Sequence, residues 1–298
     1  MKKTTAFLLL LLLCTKIIIA QETDMINLVG PVTVKKEIVK NAFKSPRVIM
    51  GHSMEFLSKG TLDFRILHRF GSLDKGINNF YGLDQASMRI GLDYGITNNL
   101  MIGIGRSTLK KEIDSYLKLA LIRQSTGKRR FPFTVAVAGG ATVNTLPTGD
   151  PEKKYDIVNR MSYFGQLIIG RKFSEKLTLQ LSPTIVHRNL VPLHTQPNDY
   201  YSLGVGGRYK LSKRLAFTFD YFYLFNGIIE DVNYHPLSVG FDIETGGHVF
   251  QLHFTNAMGM NERAFITETY NSWSARQISF GFNLSRVFQV VKNHNATL

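Results

Sequence analysis

The sequence predicts an all-β chain that forms a single antiparallel up-and-down transmembrane β-barrel of about twelve strands. Three observations lead to this fold. Apolar and polar residues alternate with a period of two after residue 60, the connections alternate between short and long, and the chain opens with an export signal. A period of two places successive side chains on opposite faces of a strand, so one face contacts lipid and the other faces the lumen.

Residues 1–20 have the features of a secretory signal peptide. Lysines at positions 2 and 3 precede an apolar run over residues 6–13, and the small residue Ala20 ends the segment. This order of a positive, an apolar and a small-residue region predicts export, with cleavage after Ala20. Because the only cysteine, Cys14, lies inside this segment, the exported chain is expected to have neither disulfides nor thiolate chemistry.

The chain is strongly basic, with a formal net charge of +14. Cleavage after Ala20 removes three lysines and no acid, which leaves +11 (14 − 3). A basic chain can bind nucleic acid, but an exported protein rarely meets it, so no nucleic-acid partner is expected. We interpret the basic cluster over residues 127–130 as a solvated turn and expect anionic lipid surfaces or anionic solutes as partners.

Residues 21–60 interrupt the alternating pattern and are interpreted as an N-terminal lead-in to the barrel. The stretch "VTVKKEIVKNAFKSPRVIM" contains a candidate short amphipathic helix, and residues 48–57 resemble a strand. A thirteenth strand would break the even strand count of outer-membrane barrels. The second half of the lead-in is therefore expected to enter the lumen or to lie along the barrel wall.

The barrel is predicted to occupy residues 61–288. In "KRLAFTFDYFYLFN", Phe217, Phe219 and Tyr221 alternate with Thr218 and Asp220. A helix of this composition would have no apolar stripe, whereas in a strand the aromatic side chains share one face. The predicted strands cover residues 61–70, 84–96, 99–107, 112–123, 131–143, 160–173, 177–188, 200–211, 215–226, 237–244, 247–256 and 277–288.

The connections between these strands alternate in length. Short links cover residues 97–99, 125–130, 174–176, 212–214 and 245–247. Long links cover residues 71–83, 144–159, 189–199, 227–236 and 257–276, and the link at 107–111 is an exception. Short periplasmic turns and long external loops are typical of outer-membrane barrels, whereas a Greek-key sandwich has no reason to alternate in this way. The long loops are accordingly expected to face outside.

Residues 289–298 form a predicted C-terminal tail beyond the last strand. Barrels of this kind generally end in an aromatic residue that the insertion machinery recognises. Phe288 is the candidate for that insertion signal. The expected location is the outer membrane of a Gram-negative bacterium. The expected partners there are outer-membrane lipid and the barrel insertion machinery.

The residues "GTLDFRILHRFG" (60–71) and "GLDQASMRIGLDYGITNNLMIGIGRS" (82–107) resemble a family of uncharacterised outer-membrane β-barrels of the Bacteroidetes, a domain of unknown function. The resemblance extends from about Gly51 to Phe288. It implies the fold and the location. It implies no catalytic residues, since the family has no established activity.

The lumen is the part of the molecule where the sequence places candidate functional residues. By strand parity, six basic and six acidic side chains face inward. They are Arg65, Arg69, Arg89, Lys118, Arg208 and Lys210, and Asp63, Asp93, Asp114, Asp220, Asp242 and Glu244. One interpretation is a narrow passive channel for small polar or charged solutes. The alternative is a closed structural or partner-docking barrel, in which the charges pair and fill a narrow bore.

An enzyme is the third interpretation, and the sequence offers little for it. There is no Gly-x-Ser-x-Gly elbow, and "GIGRST" (103–108) lacks the lysine of a phosphate-binding loop. His248 has lipid-facing parity and His253 projects inward, without a demonstrable partner for either. The histidines are scattered without ligand spacing. We therefore predict no enzymatic activity, no metal and no cofactor.

Overall fold

A computed structural model describes residues 35–128, 130–146, 156–191 and 195–291. From Lys36 onward the described residues form one compact unit. The predicted signal peptide, Cys14, most of the predicted tail and Arg129 of the basic cluster lie outside the described residues. Within the described ranges, no helix combines the length and the apolar character that crossing a membrane requires.

Twelve antiparallel strands close into a barrel, and each strand pairs with its neighbours in the sequence. The strands are β1 (Thr61–Ser72), β2 (Ala86–Gly95), β3 (Leu100–Ser107), β4 (Ile113–Ile122), β5 (Thr134–Val143), β6 (Met161–Lys172), β7 (Leu177–Arg188), β8 (Asp199–Lys210), β9 (Leu215–Leu224), β10 (Leu237–Thr245), β11 (His248–Thr255) and β12 (Ser279–Gln289). Pairing of β12 with β1 closes the ring. The predicted up-and-down barrel of twelve strands is confirmed.

The strand boundaries differ from the predicted ones by a few residues, and one difference has a clear cause. The predicted strand over 131–143 begins only at Thr134. Pro132 has no backbone N–H to donate to a ladder, so Phe131 forms only an isolated bridge with Ser125. Beside this bridge, Ser125–Thr126 pairs with Glu37–Ile38 in a separate two-stranded sheet.

The outer face of the barrel is apolar and the inner face is polar. On β9, Phe217, Phe219 and Tyr221 are partly exposed on the outside, whereas Thr218 and Asp220 are buried on the inside. A barrel in water would have the opposite distribution. An outward apolar band is what contact with lipid requires.

Large inward side chains lie across glycines of the neighbouring strand. A Cβ on Gly105 would overlap the guanidinium of Arg89, and a Cβ on Gly103 would overlap the ring of Tyr116. Each glycine therefore leaves the space that a long side chain occupies. In a narrow barrel, placing a glycine beside a long side chain allows the charged group of that side chain to lie against the wall.

Residues 42–57, here called the plug, lie inside the barrel and are almost entirely buried. The strand-like interpretation of residues 48–57 is wrong. The chain turns tightly there, with the Val48 N–H donating to the Gly51 carbonyl at 2.9 Å, and only Arg47 and His52 form an isolated bridge. Side chains of the wall take the place of a partner strand, as described below.

The candidate amphipathic helix in the lead-in is also absent from residues 35–60. Asn41 has a φ of 58°, which lies in the left-handed region. Pro46 follows five residues later, and proline cannot donate the hydrogen bond of a helix interior. These two positions divide the stretch into segments too short for a stable helix.

One long connection does not face outside as expected. Residues 257–272, here called the inner loop, fold into the barrel between β11 and β12 and are largely buried. The inner loop contains α1 (Glu262–Thr267), whose six residues are all buried. Asn261 caps α1 by accepting the N–H of Ala264 at 2.9 Å. The placement expected for the 257–276 connection is therefore wrong, because its length alone cannot show which way it folds.

Phe219→Arg should lower the free energy of unfolding by about 2–4 kcal/mol, since an arginine at mid-membrane depth on the lipid face is strongly disfavoured. Leu215→Arg, at the end of the same strand, is the depth control and should cost about 0–1 kcal/mol. Urea unfolding in lipid vesicles measures both values. Equal costs for the two variants would contradict a lipid-facing outer surface.

Candidate functional site

Most of the twelve predicted lumen charges are buried within the barrel. The ten buried residues are Asp63, Arg65, Arg69, Arg89, Asp93, Asp114, Lys118, Arg208, Asp220 and Asp242. Lys210 and Glu244 are half-buried near the short-turn end of the barrel. The interior is thus lined with charge along much of its length.

The charges pair across one intervening strand. The guanidinium of Arg89 on β2 contacts Asp114 on β4 through Nε at 2.8 Å and NH2 at 2.5 Å. Arg208 on β8 contacts Asp242 at 3.4 Å and Glu244 at 3.1 Å, both on β10. The bidentate contact of Arg89 with Asp114 is the strongest geometry available to arginine and carboxylate. Acids and bases therefore alternate within the lumen and do not form two separate tracks.

A looser group surrounds Arg65. Its NH1 lies 3.8 Å from both Asp63 and Asp93, which are cross-strand partners on β1 and β2. The same NH1 donates to the hydroxyl of Ser45 in the plug at 2.8 Å. A single arginine thus connects two adjacent wall carboxylates to the plug.

Asp220 has the most direct hold on the plug. One of its carboxylate oxygens accepts the backbone N–H groups of Ile49 at 3.4 Å, Met50 at 2.9 Å and Gly51 at 2.8 Å. Three successive N–H groups directed at one oxygen form an anion-binding concavity. This contact explains why an acid stands among the aromatic residues of β9.

Neutral amides of the wall also bind the plug. The lumen residues predicted from the sequence were only the charged ones at inward strand positions, so these amides were not among them. Gln180 accepts from Met54 at 2.9 Å and donates to the carbonyl of His52 at 2.7 Å. Gln251 donates to the carbonyl of Val48 at 2.5 Å, and Asn283 to that of Ile49 at 3.1 Å. An amide at an inward position of a strand is the sequence signal that would have identified them.

Lys118 holds the start and the end of the plug together. Its ammonium donates to the carbonyl of Pro46 at 3.3 Å and to that of Glu55 at 2.6 Å. It also lies 4.6 Å from the ring centre of Phe56, within the range of a cation–π contact. The wall therefore satisfies the plug's backbone with side chains from several strands.

The plug and the inner loop are joined by a buried ion pair. NH1 of Arg47 donates to Glu262 of α1 at 2.7 Å and to the carbonyl of Met50 at 2.7 Å. Nε2 of His52 lies 3.4 Å from the same glutamate. Burial and the neighbouring charge of Arg47 lower the pKa of His52 well below its usual range, so the ring is neutral. The two segments fill the lumen as one connected body.

A second ion network lies at the long-loop end of the barrel. Arg263 of α1 contacts both Glu112 and Glu268, and Glu268 also accepts from Lys110 at 2.7 Å and contacts Arg188 at 3.2 Å. Burial opposes ionisation of Glu268, but the guanidinium of Arg263 prevails and lowers the pKa of the carboxyl to about 2. The network fixes the inner loop to β7 and to the connection between β3 and β4.

Cavities open at opposite ends of the barrel. One, of about 460 Å³, is lined by plug residues, including Phe43 and Phe56, and by the turn residue Asn98. The other, of about 230 Å³, is lined by Lys110, by Arg188 and by residues of the inner loop. Because the plug borders the first cavity and the inner loop borders the second, these segments separate the two ends.

The remaining predicted features take no part in these ion networks. His253 is buried in the wall and His248 is half-buried. Across the described ranges, no group of three or more His, Cys, Asp or Glu side chains is placed to hold a metal ion. Phe288 is exposed on the outer face of β12.

Comparison with known proteins identifies the type of domain. A family model described as a membrane-bound beta-barrel domain (DUF5777) matches residues 43–288. Among solved structures, the NanC porin is similar at 10% identity, covering 76% of this chain and 98% of that chain with a TM-score of 0.45. The KdgM porin is similar at 9% identity, with coverages of 76% and 99% and a TM-score of 0.45. An outer membrane channel from Pseudomonas putida F1 is similar at 13% identity, with coverages of 79% and 98% and a TM-score of 0.42. No curated protein matches the sequence.

Asp220→Ala should release the plug, because three buried N–H groups lose a charged acceptor, at a cost of about 3 kcal/mol. A cysteine replacing the buried Ser53 reports on this change in a chain without residues 1–20. Its labelling by a maleimide should become at least about tenfold faster in the Asp220→Ala background. A cysteine replacing the exposed Asn98 is the control and should label equally fast in both backgrounds. An unchanged rate at position 53 would show that Asp220 does not hold the plug.

The stabilisation by Glu268 should depend on pH in a defined window. Its folded pKa of about 2 lies below the ordinary value of 4.5, so its full contribution is present above pH 4.5 and is lost as the pH falls towards 2. The melting temperature of Glu268→Gln should therefore lie below that of the wild type from pH 8 to pH 5. The difference should shrink at lower pH. Glu175→Gln, at an exposed carboxylate, should show no such gap, and a constant gap for Glu268→Gln would contradict the assignment.

Proposed function

The chain belongs to the family of membrane-bound β-barrel domains whose model matches residues 43–288, and on this premise we propose that it is a channel closed at rest by its plug and inner loop. The cargo is a small polar or charged solute. Its proposed location is the outer membrane of a Gram-negative bacterium, and the resemblance of residues 60–107 supports a host among the Bacteroidetes.

The observation that carries this proposal is the density of charged and amide side chains on the inner wall. Buried ion pairs contribute little to stability compared with well-packed apolar residues, because desolvation offsets their attraction. A barrel that served only as a scaffold would gain more from an apolar filling. A wall lined with Arg65, Lys118, Asp220 and their neighbours suits a lumen that is hydrated when open.

The plug is attached in a way that permits its removal. It precedes β1 in the chain, and none of its residues belongs to a barrel strand. The contacts made by Asp220, Gln180 and Gln251 are side-chain hydrogen bonds to the plug backbone. Water or solute can replace such bonds without opening the barrel ladder. Displacement of the plug would uncover the paired charges of the wall.

The second candidate function is a closed structural or partner-docking barrel. The observation in its favour is the buried Arg47–Glu262 pair, which joins the plug to the inner loop. Separating these partners would leave two uncompensated charges in the interior. In this alternative the lumen stays filled, and function belongs to the loops.

The proposed partners are the membrane and the machinery that assembles the barrel. The apolar outer face supports contact with outer-membrane lipid. The exposed ring of Phe288 on β12 supports recognition by the insertion machinery. No enzymatic role and no nucleic-acid partner are proposed.

Conductance across a planar bilayer distinguishes the two candidates. The wild type should be silent. The double variant Asp220→Ala/Gln180→Ala or deletion of residues 36–57, each combined with Arg263→Ala to free the inner loop, should produce discrete conductance steps. Asn98→Ala, in an exposed turn, is the control and should stay silent. Heat-modifiable mobility on gels checks that each variant is a folded barrel. Silence of folded, plug-released variants would favour the closed barrel.

Ion selectivity tests whether the lumen charges line the path. In the plug-released background, Arg65→Gln, Arg89→Gln and Arg208→Gln together should shift the reversal potential towards cation preference. The carboxylates at positions 63, 93, 114 and 242 would then dominate the field in the lumen. Replacement of the outward-facing Arg106 by Gln should leave the reversal potential unchanged. The same selectivity in all three proteins would place the conducting path elsewhere.

A further inference from the structure

Four inward side chains near the long-loop end of the barrel contain polar atoms without a partner among the described residues. They are Ser72, Arg69, Ser87 and His253, located on three strands of the wall, and each is more than nine-tenths buried. Nε and NH2 of Arg69, both ring nitrogens of His253 and both serine hydroxyls make no hydrogen bond within the described residues. Buried polar groups are nearly always paired, so such a group of atoms requires an explanation.

Three of these side chains occupy one row across the sheet. His253 on β11 is the cross-strand partner of Gly281 on β12, Gly281 of Arg69 on β1, and Arg69 of Ser87 on β2. Ser72 lies three residues beyond Arg69 on β1, opposite Ser279, and is outside the row. The row lies across the β12–β1 pair, where the barrel closes, and it combines a guanidinium, an imidazole and one hydroxyl.

Arg69 differs from the other buried arginines of the lumen in its partners. Arg89 and Arg47 each contact a carboxylate at 2.7 Å or less. NH1 of Arg69 donates only to the carbonyl of His68 and to the amide oxygen of Asn283, both at 3.0 Å. A guanidinium keeps its charge in proteins, and an uncompensated buried charge costs several kcal/mol. The site therefore calls for a negative counter-charge.

The geometry points to a bound inorganic anion, of which chloride is the representative, held by Arg69 and His253 with Ser87 as a further donor. Arginine has no acceptor, and an imidazole and a hydroxyl can both donate to the same ion. A Cβ on Gly281 would meet Nε2 of His253 at 2.6 Å and Cδ of Arg69 at 2.9 Å. Nε2 of His253 and Cδ of Arg69 thus both lie against Gly281, so the two side chains are close enough to contact one small ion.

The site goes beyond the proposed channel, because it lies in the wall and does not need an open lumen. It is nevertheless close to the plug. Asn283 accepts NH1 of Arg69 and donates to the carbonyl of Ile49 in the plug. An ion that orders Arg69 also orders the amide that holds the plug.

The experiment is a titration of the purified full-length exported protein in detergent with chloride at constant ionic strength, with gluconate as the balancing anion. In chloride-35 NMR spectra, the line broadening caused by the wild type should saturate as chloride is added. This broadening should be lost in Arg69→Gln. In Ser87→Ala, saturation should require about tenfold more chloride, because one hydrogen bond to a charged group is removed. The outward-facing Arg106→Gln should bind as the wild type does.

Thermal unfolding and diffraction provide independent outcomes. Chloride should raise the melting temperature of the wild type and of Arg106→Gln, but not that of Arg69→Gln. Crystals soaked in bromide should show an anomalous peak between Arg69 and His253, which also covers the case in which Arg69→Gln fails to fold. Equal line broadening in wild type and Arg69→Gln, or a bromide peak only elsewhere, would overturn the site. Neither result would bear on conductance, so failure here leaves the proposed channel untouched.

Discussion

The carboxylate of Asp220 and the three plug N–H groups that it accepts are the contact on which the closed interior depends. The plug has no partner strand, so its backbone groups must be satisfied by the wall or remain unpaired in a space with little water. Asp220 satisfies three of them at the turn where the chain reverses. The amides of Gln180, Gln251 and Asn283 then take the flanking groups. Once this turn is fixed, Arg47 is positioned to reach Glu262, which fixes the inner loop.

This arrangement reconciles a lipid-facing exterior with a charged interior. The apolar band outside satisfies the membrane, and closure of the ring satisfies the backbone of every strand. The interior then has to accommodate charges without bulk water, and it does so by local pairing of residues such as Arg89 and Asp114 on strands close together in the wall. Lys118 and Asp220 are held instead by backbone groups of the plug. Arg69 differs from both, because two of its three guanidinium nitrogens make no hydrogen bond within the described residues.

The sequence was sufficient for the barrel because strand alternation and connection length are local properties. The β9 segment separates into two faces without any knowledge of its neighbours, and twelve such segments specify the architecture. The plug could not be derived in the same way. Asp220 lies 169 residues from Gly51 in the chain, and no pattern of residues near either one indicates their contact. Parity showed that Arg65 and Asp93 should face inward, but their spacing depends on strand register and on rotamers. The inner loop was missed because its composition gives no sign of the buried Glu262–Arg47 pair.

The positions of the plug and the inner loop in the chain have a consequence for biogenesis. The plug directly precedes β1 and the inner loop directly precedes β12, so both flank the seam at which the nascent sheet becomes a cylinder. The seam carries its own polar links, from Ser285 to Asp63 and from Arg69 to Asn283. The plug contacts Gln180 on β7, Asp220 on β9 and Asn283 on β12, so its full set of contacts exists only once these strands stand in one wall. Closure of the wall and packing of the interior are therefore coupled steps of assembly.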